Sequence, residues 1–572
     1  MKKDLLIIII VSIIMITLKS TIIGFNLDKV VYETKDSYQK MLAYQEDEMV
    51  DIAEEKIIVR VKSKENMAYE KLVSDINGNK RNQEYQTVDD AHMVRKEKND
   101  LLKSFHQKNN KTTADEIEIA GYEEKYISTY GPFVEYTYSA IYFLKNQDKI
   151  LKEASSATNC EKVYVLSYDV YENEPSLYNS TKSTGIHDIY MDRTYTGKGI
   201  CVGILETRGN PDITNGQLID TDCEVYKASE YGTSYDNIHA TAMAMAVAGR
   251  DGIAPGAKIK SAALIGSMTD EMDWFVSKGV DIINMSYGEI RPEGIYNDDS
   301  AYVDYISYTY DIIMVSAVGN CEVNTNVANP ALGYNVISMG ATDLENDEIW
   351  QNSAYVVANK QQPLKPTLVI NGQSINICGV YFGSGTSCSS VITTANIALF
   401  LEMHPSFISS PERVLAVLTA NARPLSTDLY PPSTSDIPLL EKVGAGTLYL
   451  QAAIDNVYKV ISFNNSKGNP YDNVYTVDIT LRAGETLRVS TAWLAKTDGT
   501  KSGLKRGDYD LYLKSSSQTI LASSDSTRSV IELLSYTTTI DRTVQVVIAQ
   551  CSNRVGTIDR VCIAYQIIQP TK

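Results

Sequence analysis

The sequence predicts an α/β domain built on a mostly parallel central sheet, and three stretches carry that prediction. Ile200 to Thr207 and Ile312 to Asn320 are continuous apolar runs of strand length, as strands covered on both faces require. The first ends on the carboxylate of Glu206 and the second on the amide of Asn320. Side chains placed there face the crevice beyond the carboxyl ends of the strands, where open α/β sheets bind ligands. The third stretch is Val391 to Met403, a long apolar helix pattern behind the turn Gly383-Ser384-Gly385-Thr386-Ser387.

That turn gives Ser387 the setting of a nucleophile. A reactive serine needs a tight turn to expose its hydroxyl, and a helix amino terminus behind it favours negative charge developing nearby. A Gly-Thr-Ser triplet alone is common in loops, so the other segments must be weighed with it. His239 heads a run of small residues, Ala240-Thr241-Ala242-Met243-Ala244, which lets its helix pack close to a neighbour. A lone histidine in that position is most often structural. The chain has only five histidines, and His92, His106, His187 and His404 lie in no comparable setting. An asparagine at the end of a buried strand can donate to a developing oxyanion, a contribution of about 3–4 kcal/mol in a serine peptidase.

The order along the chain is acid, histidine, asparagine, serine, with 239 − 206 = 33 and 387 − 320 = 67 residues between members. In this the chain resembles the subtilisin-like serine peptidases, the subtilases, whose triad follows the same order. The resemblance runs from about Gly185 to Asp455. Tyr195-Thr196-Gly197-Lys198-Gly199-Ile200 resembles the lead into the family's first catalytic strand, and Ile282 to Gly288 the strand that binds substrate backbone. Asn329-Pro330-Ala331, Val336 to Ala341, Lys365-Pro366-Thr367-Leu368-Val369 and Gly444 to Leu448 are similar to further family segments.

The resemblance implies a subtilisin-like three-layer domain at 181–458. Ser387 would be the nucleophile, His239 the general base and Glu206 the triad acid, with Asn320 and the Ser387 N–H as oxyanion donors. Substrate would lie along Ser286, Tyr287, Gly288, Ala317 and Gly319. The expected activity is that of a serine endopeptidase acting on protein or peptide substrates, with no metal or organic cofactor required. Structural calcium is common in the family, but no segment assigns its ligands.

The chain departs from the family pattern at three places. Glu206 stands where the family has aspartate, Ala240 follows the histidine instead of glycine, and Cys388-Ser389-Ser390-Val391 replaces Met-Ala-x-Pro. Asp212 and Asp220 are substitute acids off the matching strand end. The second reading is therefore a catalytically impaired binding protein on the same scaffold, with His239 misplaced by the longer acid. An esterase is disfavoured because Ser387 lacks a Gly-x-Ser-x-Gly elbow.

Ahead of this unit, Lys2 and Lys3 precede an uncharged run from Leu5 to Leu18, the pattern of a signal peptide or retained anchor over 1–25. The expected location is secreted or cell-envelope, with membrane contact only if that segment is retained. Residues 26–180 read as a small α/β unit and linker. Lys56–Lys62, Glu135–Leu144 and Lys162–Tyr168 alternate as strands, Asn146–Ala157 reads as a helix, and the charged stretch Val94–Asp100 as solvated helix or loop. This unit resembles the subtilase propeptide, which would inhibit the enzyme until cut within Glu172 to Thr184.

After the central unit, 459–572 reads as an all-β, jelly-roll-like domain, with strands at Val474–Leu481, Thr486–Thr491, Asp508–Lys514 and Thr543–Ala549. A net charge of −18 argues against a nucleic-acid partner and against attraction to anionic membranes. Eight cysteines in 572 residues are too sparse for a disulfide scaffold, and Cys551 with Cys562 is the expected pair if one forms.

Overall fold

The computed structural model describes residues 30–32, 56–64, 69, 71–73, 87–167, 184–185, 189, 192–207, 209–227, 238–264, 267–288, 294–320, 326–343, 349–355, 362–378, 381–424, 442–465, 474–552 and 559–570. The apolar run at 5–18 and most of the expected linker at 172–183 lie outside them. No helix among the described residues is long and apolar enough to cross a membrane. The chain divides into two compact units, the smaller comprising 1–71, 100–169 and 265–273, the larger comprising the rest.

The smaller unit is built on β1 (Val30–Tyr32), β2 (Lys56–Ser63), the carboxyl-terminal part of α1 (Val88–Glu116), β3 (Glu124–Ile127), β4 (Phe133–Ser139), α2 (Ala140–Ser156) and β5 (Cys160–Ser167). Its five strands form one sheet in the order β1-β5-β2-β4-β3. Alternating residues of β2, β4 and β5, such as Val59, Val134 and Val163, bury one face against Phe143, Leu151 and Ala154 of α2. The predicted strand at 135–144 is shorter than expected. Ser139 accepts from the Tyr142 N–H and so starts α2 at Ala140.

Within the same unit, Arg60 and Glu135 form a buried pair at 2.6 Å. Glu135 also accepts the hydroxyls of Ser267 and Thr269 at 2.6 and 2.8 Å. The carboxylate of Asp273 accepts from Tyr126 Oη, Ser128 Oγ and the N–H groups of Thr129 and Tyr130. Residues 267–273 are thus held to the sheet by two buried carboxylates, each with several donors.

The larger unit carries β6 (Cys201–Thr207), β7 (Cys223–Val225), α3 (Ile238–Ala248), β8 (Lys258–Leu264), α4 (Thr269–Ser277, from Trp274 onward), β9 (Ile282–Met285), α5 (Asp298–Tyr310), β10 (Ile313–Ala317), β11 (Val336–Thr342) and β12 (Leu368–Asn371). Seven of these strands make one all-parallel sheet, ordered β12-β11-β10-β9-β6-β8-β7. β6, β9, β10, β11 and β12 are buried at every residue, which accounts for their predominantly apolar sequences. The order reverses at β6, so the crevice opens beside the carboxyl end of the strand that carries Glu206.

A short hairpin, β13 (Ile375–Ile377) with β14 (Tyr381–Gly383), leads into α6 (Thr386–Met403). α6 is buried from Thr386 to Leu401, as an apolar and small-residue helix must be, and stops ahead of Pro405. It packs against α3 and across β9 to β12. α7 (Pro411–Ala420) and α8 (Leu450–Asp455) follow.

Beyond them lie two four-stranded antiparallel sheets. The first joins β15 (Ile461–Asn465), β22 (Asp559–Ile568), β17 (Thr486–Ala492) and β20 (Ile531–Thr537). The second joins β16 (Val474–Leu481), β21 (Arg542–Ser552), β18 (Asp508–Ser515) and β19 (Ile520–Ser524). The four predicted strands of this region are all present. Cys551 and Cys562, expected as the pair if a disulfide formed, are both free thiols. Cys562 lies 3.1 Å from the Ser462 hydroxyl, across the β15–β22 ladder.

The charged stretch 94–100 is also unlike its expectation. It is helical, but Arg95 and Lys98 are buried in the larger unit, where Arg95 pairs with Asp281 at 2.8 Å and Lys98 with Asp311. Asp311 takes Arg560 of β22 on its other oxygen at 2.6 Å. Burial alone would raise the Asp311 carboxyl, but Arg560 and Lys98 outweigh it and hold it below the usual carboxylate range.

Candidate functional site

Three strand ends and one helix start converge at the carboxyl edge of the parallel sheet. β6 brings Glu206, β9 runs into Ser286, β10 leads to Asn320, and α6 begins at Thr386 with Ser387 second. α3 supplies His239 from its first turn. All nine residues predicted for the site are described, and the hydrogen bonds below involve six of them.

The first cluster is Glu206 with His239. Glu206 Oε2 lies 2.7 Å from His239 Nδ1, with the carboxylate 1% and the imidazole 14% exposed, so the contact is shielded from water. Glu206 Oε1 is buried and accepts no hydrogen bond. The substitute acids do not take this place. Asp212 Oδ1 instead accepts the N–H and hydroxyl of Thr214, closing a turn.

The second cluster surrounds Ser387. Its hydroxyl donates to the Ser286 carbonyl at 2.9 Å. The Ser286 hydroxyl donates to the Ser387 carbonyl at 3.1 Å and meets Ser390 Oγ at 2.9 Å. Asn284 Nδ2 donates to Ser286 Oγ at 2.8 Å, and Thr394 Oγ1 donates to Asn284 Oδ1 at 3.2 Å. β9 and the first two turns of α6 are thus stitched together through small hydroxyls, which fixes the backbone of Ser387. Asn284, Ser390 and Thr394 escaped the sequence reading. The i, i+3 and i, i+7 spacing of Ser387, Ser390 and Thr394 on one helix face was the available signal.

Asn320 is oriented by the residue before the serine. Its Oδ1 accepts both the N–H and the hydroxyl of Thr386, each at 2.9 Å. An amide whose oxygen is taken twice presents its nitrogen elsewhere. Nδ2 lies toward Gly385, where an added Cβ would come within 3.1 Å of it. Gly385 has φ 174°, an extended conformation open to any residue, so close approach and not backbone shape is what favours glycine there. The Thr386 hydroxyl also takes the Gly319 N–H at 3.1 Å, tying the end of β10 to the same helix start.

Of the expected substrate-lining residues, Ser286 and Gly319 enter this network directly. Ala317 is the last residue of β10 and Gly288 lies two beyond Ser286, so the two strand extensions flank the space beside Ser387. Among the described residues, no three His, Cys, Asp or Glu side chains are grouped as metal ligands would be.

Residues 197–446 match the Subtilase family, peptidase S8. The minor extracellular protease Epr of Bacillus subtilis (strain 168) is 26% identical over a match covering 37% of this chain and 33% of that protein. The chain therefore spans about a third of that relative's length. Among solved structures, the prenylagaramide maturation protease PagA is 22% identical at a TM-score of 0.38, covering 47% of this chain and 96% of that one. Fervidolysin from Fervidobacterium pennivorans, a keratinolytic enzyme related to subtilisin, is 14% identical at a TM-score of 0.45, covering 85% and 69%. The subtilase family match falls on the segment that holds the parallel sheet, α3, α6 and every residue of the candidate site.

Proposed function

We propose that the chain is an exported serine endopeptidase that cleaves peptide bonds through an acyl-enzyme on Ser387. The 2.7 Å contact between Glu206 and His239 is the observation that carries this reading. A carboxylate on Nδ1 fixes the imidazole as the tautomer with Nε2 free to accept a proton, and stabilises the imidazolium that forms. The extra methylene of glutamate does not prevent that contact, which favours a working triad over the impaired binding protein.

In the proposed reaction the Ser387 hydroxyl turns from the Ser286 carbonyl toward His239 Nε2, loses its proton there and attacks the scissile carbonyl carbon. The carbonyl oxygen takes the negative charge and is met by Asn320 Nδ2 and the Ser387 N–H at the start of α6. His239 then gives its proton to the departing amine, leaving the acyl group on Ser387. Water, deprotonated by His239, hydrolyses that ester and returns the serine.

The amino-terminal region is read as a prosegment that inhibits the enzyme until it is cut away. The support is internal to the smaller unit, where Glu135 and Asp273 bind residues 267–273 to the five-stranded sheet. Export is supported by the lysine-led apolar run at 5–18 and by the extracellular name of the relative Epr. The test is labelling of the purified protein with a fluorophosphonate, followed by peptide mapping. Modification of Ser387 that disappears in His239→Ala is expected; no modification of the wild type would overturn the reading.

A further inference from the structure

If Ser387 attacks and Asn320 receives the oxyanion, the side chain next to the attacked carbonyl must enter the space between the extensions of β9 and β10. Ser286, whose carbonyl meets the nucleophile's hydroxyl, begins one extension, and Asn320 ends the other. A third segment closes this space from behind. The Ala328 N–H donates to the Val318 carbonyl at 2.9 Å, which lays residues 326–328 along the β10 extension.

The three segments approach one another closely at Gly288. A Cβ added there would lie 2.6 Å from the Ala328 methyl, 3.3 Å from the Asn329 carbonyl oxygen and 3.8 Å from the Ala317 carbonyl oxygen. Gly288 Cα and the Ala328 methyl are then at most about 4.1 Å apart, the 2.6 Å plus one bond of ~1.5 Å, which is van der Waals contact. Walls that admit a carbon chain must stand roughly 7 Å apart, twice the ~3.5 Å contact distance. The floor of the slot is filled by backbone and one methyl group.

From this geometry, and resting on the peptidase reading above, we infer that the enzyme is selective for peptide bonds that follow a small residue, glycine, alanine or serine. Ala328 and Gly288 are its specificity-determining residues. A side chain of leucine or phenylalanine size would have to part Gly288 from Ala328. The cost falls on the transition state, because the carbonyl can reach Ser387 and Asn320 together only when the side chain is seated.

The test is turnover of a peptide series that differs only at the residue preceding the cleaved bond, using the purified full chain. The expected ratio of kcat/KM for alanine over leucine or phenylalanine is about 100-fold or more, the scale on which a hydrophobic pocket discriminates by size. Ala328→Gly, which removes the methyl, is expected to raise the leucine-to-alanine ratio about tenfold. Equal turnover of leucine and alanine peptides, or no change of the ratio in Ala328→Gly, would overturn the inference while leaving the peptidase reading standing. Failure to cleave any peptide, together with no fluorophosphonate labelling of Ser387, would overturn the reading on which it rests.

Discussion

Glu206 reaches His239 Nδ1 at 2.7 Å with one carboxylate oxygen and leaves the other buried with no hydrogen-bond partner. Its position on β6 is fixed by parallel pairing to Ala263 on β8, so the side-chain length sets where the carboxylate arrives. Replacing Glu206 by glutamine keeps the length but removes the charge and favours the wrong tautomer of His239. The expected loss in kcat is about 10⁴-fold. Glu206→Asp shortens the side chain by one methylene and draws the carboxylate back by about 1.5 Å. A loss of roughly 10²-fold is expected, the usual effect of such a displacement. Steady-state kinetics on one peptide measures both, and an aspartate variant faster than the wild type would contradict the geometry.

Asn320 is held by Thr386 through two hydrogen bonds to the same oxygen. Asn320→Ala removes the proposed donor to the oxyanion, and kcat is expected to fall about 10²–10³-fold with KM little changed. Thr386→Val keeps the backbone bond to Asn320 and removes the hydroxyl's bonds with Asn320 and Gly319, and because the oxyanion donor itself remains, a smaller loss in kcat is expected. A KM effect as large as the kcat effect in Asn320→Ala would show that the side chain binds substrate instead.

Arg60 and Glu135 are paired at 2.6 Å at 2% and 6% side-chain exposure. Glu135→Gln removes the charge partner of a buried guanidinium and weakens the bonds from Ser267 and Thr269. A destabilisation of about 3 kcal/mol is expected in denaturant unfolding. A change within 0.5 kcal/mol, the ordinary effect of a surface substitution, would contradict the pairing.

Glu532 on β20 is buried among acids. Desolvation is the main cause that pushes its carboxyl up to about 8; Asp510 and Asp525 add to the rise, and the Ser524 hydroxyl opposes it. Its folded pKa is above the unfolded value of about 4.3, so the folded form binds the extra proton between them. Stability is expected to fall as pH rises through that window. Glu532→Gln, neutral throughout, should unfold at a higher temperature than the wild type at pH 8 and show a flatter dependence between pH 5 and 8. Identical pH dependence in the two proteins would refute the shift.

The parts of the fold that were legible in the sequence are those whose burial follows a simple pattern. β6 and β10 are covered on both faces and read as apolar runs, and Val474–Leu481, more and less exposed at alternate residues, reads as an alternation with its bounds intact. Tertiary context hid the rest. A helix start at Ala140 depends on one serine cap, and nothing in the alternation of 135–144 announces it. Arg95 and Lys98 read as solvent-facing because their buried partners Asp281 and Asp311 lie about two hundred residues away. At the site, residue types at two strand ends pointed to Glu206 and Asn320, a glycine turn ahead of a helix to Ser387 and a small-residue helix start to His239, and the resemblance gave them their roles. The hydroxyl network through Asn284, Ser390 and Thr394 stayed hidden because serines and threonines on a helix face also serve mere packing.

The central claim is that Glu206, His239 and Ser387 act together as a peptidase that first processes its own chain. Intact mass and amino-terminal sequencing of the wild type beside Ser387→Ala tests it most directly. The account predicts that the wild type acquires a new amino terminus within Glu172 to Thr184 while the variant retains the preceding residues. The same amino terminus ahead of residue 172 in both proteins, or a cut within 172–184 in Ser387→Ala as well, would contradict it.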